Sequence, residues 1–75
     1  MPYERDFGGI PHQARQIRTN DDGSTTWFIE YDQDRSGHFY RRATFTQRGD
    51  HFEFDGQTFR DIEAVMIRYW YGAPR

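Results

Sequence analysis

The residues with chemical potential are few, and their spacing is unhelpful to catalysis. Asp32-Gln33-Asp34-Arg35-Ser36-Gly37 has the composition of the first half of a calcium-binding loop, with oxygens at alternate positions and a glycine for the sharp turn. The twelfth position of such a loop needs a bidentate glutamate, and Ala43 stands there, so an ordinary hairpin loop is expected. His12, His38 and His51 lack close metal-ligand spacing and are expected as solvated or sheet-edge side chains. Ser24 and Ser36 sit in turns beside acids, without a glycine elbow or an evident base. Arg48-Gly49-Asp50, the integrin-binding tripeptide, reads as turn chemistry. No catalytic, cofactor-binding or metal-binding set emerges, and the expectation is a protein that is not an enzyme.

Composition points to a binding surface instead. All ten basic residues are arginine, leucine and cysteine are missing, and fourteen residues are aromatic. Arginine, tyrosine and tryptophan are enriched at binding hot spots, because each offers a large contact area with a directional polar end. The net charge of −2 argues against a generic nucleic-acid binder, although residues 35–75 are mildly basic. Without cysteine there is no disulfide framework and no thiolate zinc site. No apolar run is long enough to span a bilayer and no secretion pattern opens the chain, so a cytoplasmic protein is expected.

These side chains need elements to position them. Residues 1–11, punctuated by Gly8-Gly9 and Pro11, show neither structural period and are expected as an N-terminal arm ahead of a single domain over 12–75. Strands are predicted over 12–19, 25–32, 38–47 and 51–55, separated by turns at 20–24, 33–37 and 48–50. Connections this short imply an antiparallel meander. A helix is predicted from Phe59 to Tyr71, with Thr58 as N-cap, Asp61 imitating a capping box, Gly72 at the left-handed C′ position and Pro74 beyond it. The fold class is therefore α+β: a four-stranded antiparallel meander packed on one C-terminal helix.

Alternation along the strands assigns faces. Ile17, Trp27, Ile29, Tyr31, Phe39, Ala43, Phe45, Phe52 and Phe54 are expected to meet Phe59, Ile62, Val65, Met66, Tyr69 and Trp70 of the helix. Phe28, Glu30, Tyr40, Arg42, Thr44, Thr46 and Glu53 are expected on the opposite face. Arg41 is in phase with the core residues, which calls for a bulge near Arg41-Arg42 or, as the less favoured alternative, for Arg41 at the sheet edge with its stem packed and its head in water. Ala64, Ile67 and Tyr71 form a second apolar flank on the helix.

Two resemblances bear on function. Arg35 to Arg42 is similar to an RNA-binding strand, in which aromatics stack bases and arginines hold phosphates, but the β-α-β-β-α-β order of that fold cannot be built from this chain. Residues 37–70, through Gly49-Asp50-His51-Phe52-Glu53-Phe54 and Phe59-Arg60-Asp61-Ile62-Glu63-Ala64-Val65, resemble the closing half of an SH2 domain, which implies a strand followed by a phenylalanine-led helix. That family's phosphate-gripping arginine would fall in the second strand, where Trp27-Phe28-Ile29-Glu30 offers glutamate. Phosphotyrosine binding is therefore not carried over and no family is assigned.

The expected function is a small binding module that docks on a larger protein as an adaptor, regulator or inhibitor. Small proteins of phages and other mobile elements supply the analogy. The contact residues expected are Phe28, Tyr40, Arg42 and Arg48 from the sheet and Ile67 and Tyr71 from the helix, with a second copy of the chain as another candidate partner. The alternative is RNA or single-stranded DNA binding through Phe28, Tyr40, Arg42 and Arg48. No cofactor and no membrane contact are expected.

Overall fold

The computed structural model describes residues 3–72. The chain forms β1 (Tyr3–Phe7), β2 (Ile10–Thr19), β3 (Thr25–Tyr31), β4 (Tyr40–Arg48), β5 (His51–Phe54), β6 (Gln57–Phe59) and α1 (Ile62–Gly72). The strands pair antiparallel in sequence order, giving one six-stranded meander and confirming the α+β class. The strand count is six, not four, and both additional strands come from two-residue turns.

Gly8 and Gly9, with φ of 57° and 79°, join the paired residues Phe7 and Ile10. Asp55 and Gly56, with φ of 52° and 72°, join Phe54 and Gln57. Two consecutive left-handed residues are what a type I′ hairpin turn requires. The expected arm thus supplies β1 and the start of β2, and Thr58 and Phe59 lie in β6 instead of opening the helix.

Asp61 is the N-cap in place of Thr58: its carboxylate accepts the Ala64 amide at 2.8 Å, and its carbonyl accepts the Val65 amide at 3.4 Å. Gly72 belongs to the helix and does not take the left-handed C′ conformation. Pro74 lies outside the described residues.

The helix packs against β5 and β6 and reaches across to the opposite edge of the sheet. Trp70 stacks on Phe7 of β1, with centroids 5.3 Å apart and planes 13° from parallel. Glu63 accepts hydrogen bonds from Tyr3 at 3.0 Å and Arg5 at 3.1 Å. Phe7, Ala14, Trp27, Ile29, Phe45, Phe52, Val65 and Met66 form the core, with Tyr3, Ala43, Phe54, Phe59, Ile62, Tyr69 and Trp70 packed against it. Lacking leucine, this core is built from rings: Trp27, Phe45 and Phe52 are mutually in contact, and the Trp27 indole N–H donates to Gln47 at 3.0 Å.

Candidate functional site

One face of the sheet is covered by α1; the other has no element of the described chain over it. Two bulges decide what that outer face displays. In β2, Gln16 pairs with Trp27 and Arg18 with Thr26, leaving Ile17 as the extra residue. Ile17 lines the outer side with Phe28 and is absent from the core in which it was expected.

In β4, Ala43 pairs with Ile29 and Arg41 with Glu30, leaving Arg42 as the extra residue. The bulge expected near Arg41-Arg42 is thus present, and it exchanges the roles of the two arginines. Arg41 lies outward, its guanidinium carbon 4.9 Å from the Phe28 ring centroid. Arg42 lies on the helix side, 4.8 Å from the Tyr31 ring centroid, and its Nε–H donates to the Tyr69 hydroxyl at 3.4 Å. Tyr40 pairs with Tyr31 and so shares the helix-side rim of the sheet, 61 % exposed. Phe39 precedes β4 and is absent from the core.

The outer face centres on Phe28, half-buried between β2 and β4. Ile17, Arg18, Thr26, Phe28, Arg41 and Thr44 line a depression of about 400 Å³ there. Beside it Glu30, only 5 % exposed, accepts the Arg15 guanidinium through both carboxylate oxygens at 3.0 and 2.9 Å and the Gln13 amide at 2.8 Å. Hydrogen bonding from Arg15 is the main reason the Glu30 carboxyl titrates below its ordinary value. Arg48 bridges Glu53 at 2.8 Å and Asp22 at 3.1 Å. Asp22 is lowered to about 2, first by hydrogen bonding from Ser24 and then from Arg48.

The remaining residues selected from sequence are dispersed. Ile67 and Tyr71, 37 % and 69 % exposed, lie on the helix, away from the Phe28 face. Arg48 lies at the end of β4 with its charge already compensated.

The aspartate loop organises itself. Asp32 is buried, and its two carboxylate oxygens accept the backbone amides of Ser36 at 2.9 Å and Gly37 at 2.7 Å. Arg35 in this loop donates to the Gly9 carbonyl and ties it to the first hairpin. Among the described residues, no three His, Asp or Glu side chains are grouped closely enough to hold a metal ion.

His12 departs most from expectation. It is 2 % exposed, enclosed by the rings of Phe7, Tyr31, Tyr69 and Trp70. Its Nδ1 lies 2.8 Å from the Ile10 carbonyl, so Nδ1 carries the proton and donates. Its buried Nε2 has no hydrogen-bond partner among the described residues. Pro11 and Gln13 hid this role, since one histidine between polar neighbours gives no apolar alternation.

None of the described helices is long and apolar enough to cross a membrane. The SH2-like reading required Phe59 to lead a helix, and the residue instead pairs with Phe52 in β6. No family model, curated protein or solved structure matches this chain.

Proposed function

We propose that this protein is a small non-enzymatic docking module whose outer sheet face binds a larger protein. The observation that carries the reading is the Phe28–Arg41 pair, an aromatic ring with a guanidinium over it at the centre of a sheet face that no described segment covers. Both residue types suit an interface anchor: phenylalanine buries a large area with few rotatable states, and arginine offers a rigid planar fork of donors. An adaptor, regulator or inhibitor acts through such a surface without chemistry of its own. Nucleic-acid binding is the lesser reading, since Arg15 and Arg48 on this face already hold carboxylates and are poor candidates for a phosphate track.

The test is affinity capture from the native cell with the unaltered chain and with Phe28→Asp. A protein retained by the first and lost from the second is the expected result. Capture that is indifferent to Phe28→Asp, or nucleic acid recovered with an affinity falling steeply with salt, would refute it.

A further inference from the structure

We infer that the depression beside Phe28 receives a carboxylate from an acidic segment of the protein partner; the inference rests on the docking reading and names the chemistry it would need. The charges of the outer face do not cancel uniformly. Glu30 is satisfied by Arg15 and Gln13, and Glu53 and Asp22 by Arg48. Two cations at the depression are left over. Arg18 donates from Nε only to the neutral Asn20 side chain at 3.1 Å. Arg41 has no carboxylate partner among the described residues, and its guanidinium carbon lies over the Phe28 ring.

The planar N–H fork of Arg41, held by no carboxylate of the described residues, matches an incoming carboxylate bidentately. Thr26, Thr44 and Thr46 bring hydroxyl donors to the same place, while Phe28 and Ile17 give it an apolar lining. Apolar walls lower the local dielectric and strengthen the attraction to an incoming anion.

The same features select an acidic protein segment over nucleic acid. A volume of about 400 Å³ holds one or two side chains, whereas a nucleic-acid strand needs a continued row of cations. The flanks oppose such a row: Glu4 and Asp6 are exposed on β1, and Asp21 and Asp50 are exposed in turns. An apolar residue next to the partner's carboxylate would cover the free edge of Phe28.

The experiment is an amide and arginine Nε–H NMR titration of the full chain with three probes. These are an acetylated, amidated peptide alternating glutamate with phenylalanine, its glutamine counterpart, and a thymidylate oligonucleotide. The glutamate peptide should shift Arg41 Nε–H and the Thr26 and Thr44 amides. Its affinity should fall by about tenfold or more in Arg41→Gln and Arg18→Gln, and for the glutamine peptide against the unaltered chain. Arg60→Gln, at the exposed bend after β6 and outside the depression, should change nothing. Thermal melting verifies that each variant is folded, and Arg41→Lys, which keeps charge but loses the fork, should bind with intermediate affinity. Equal binding of the glutamine peptide, tighter binding of the oligonucleotide, shifts confined to other surfaces, or no binding of the glutamate peptide would overturn the inference. A cellular partner lost from Phe28→Asp but kept by Arg41→Gln and Arg18→Gln would overturn the acidic anchor alone and leave docking standing.

Discussion

Phe7 in the first strand and Trp70 in the last turn of the helix stack nearly parallel, 5.3 Å between centroids, so the two ends of the described chain close on each other. The helix packs against β5 and β6, and this stack fastens its C-terminal end to the opposite sheet edge. Phe7→Ala removes the stack and leaves a cavity under Trp70. A loss of about 3–5 kcal/mol is expected from a buried phenylalanine truncation, read by urea unfolding. Loss of less than about 1 kcal/mol would mean that the helix does not depend on β1.

The turn beside that stack makes a sharper comparison. Gly8 and Gly9 both have positive φ, and an alanine at either is strained by about 1–2 kcal/mol. A Cβ at Gly8 would in addition stand 3.1 Å from Cζ2 of Trp70, whereas one at Gly9 meets open space. Gly8→Ala should therefore destabilise more than Gly9→Ala in parallel thermal melts. Equal effects would show that the Trp70 ring yields without cost.

The cap of the helix separates two readings of the same residues. Asp61→Ala should cost about 1 kcal/mol, since it removes the acceptor for the Ala64 amide. Thr58→Ala, in the exposed middle of β6, should cost less than about 0.5 kcal/mol, checked by chemical denaturation.

That contrast shows what was legible in the sequence. The apolar stripe of α1 was readable because Ile62, Val65, Met66, Tyr69 and Trp70 recur at helical spacing, and Val65 and Met66 are buried. Asp55-Gly56 between Phe54 and Phe59 was an available hairpin signal, as was Gly8-Gly9 between Phe7 and Ile10. Both were hidden by neighbours: Thr58 offered a plausible cap, and the charged residues of β1 obscured its alternation. The bulge in β4 was readable from the phase of Arg41, because alternation fails there. The bulge in β2 was not, since Gln16 and Arg18 are both polar and give no phase to break.

Acid should weaken the fold through His12 before it reaches the carboxylates. Burial is the main cause lowering the His12 pKa; Arg42 on β4 adds to it, while the Ile10 carbonyl and Asp6 on β1 oppose it. Arg5, its neighbour on β1, and the hydroxyls of Tyr31 and Tyr69 complete the titratable groups around the ring. Because the folded value lies below the unfolded 6.5, the unfolded chain binds the proton more readily between the two. The stability associated with neutral His12 is complete above 6.5 and declines as pH falls towards the folded value, by at most about 1.4 kcal/mol per pH unit. Asp22 and Glu30, lowered from 3.8 and 4.5, lose their contributions only further into acid. Urea titrations from pH 7 down to about 5 should show this slope. His12→Gln should remove it, whatever its effect on stability at neutral pH.

The bulge in β4 makes neighbouring arginines answer to different measurements. Arg42 lies over Tyr31 and donates to Tyr69, both on the helix side. Arg42→Ala should cost stability, about 0.5–1 kcal/mol from the lost cation–π contact, while leaving capture of the partner unchanged. Arg41 lies over Phe28 on the open face. Arg41→Ala should leave stability within about 0.5 kcal/mol, as surface substitutions usually do, and weaken docking by about tenfold or more. Strict alternation would give the reverse pairing, since Arg42 would then share a face with Phe28. The two variants, each measured for melting and for partner affinity, decide between these. Their exchange of effects would show that the docking surface is not the face centred on Phe28.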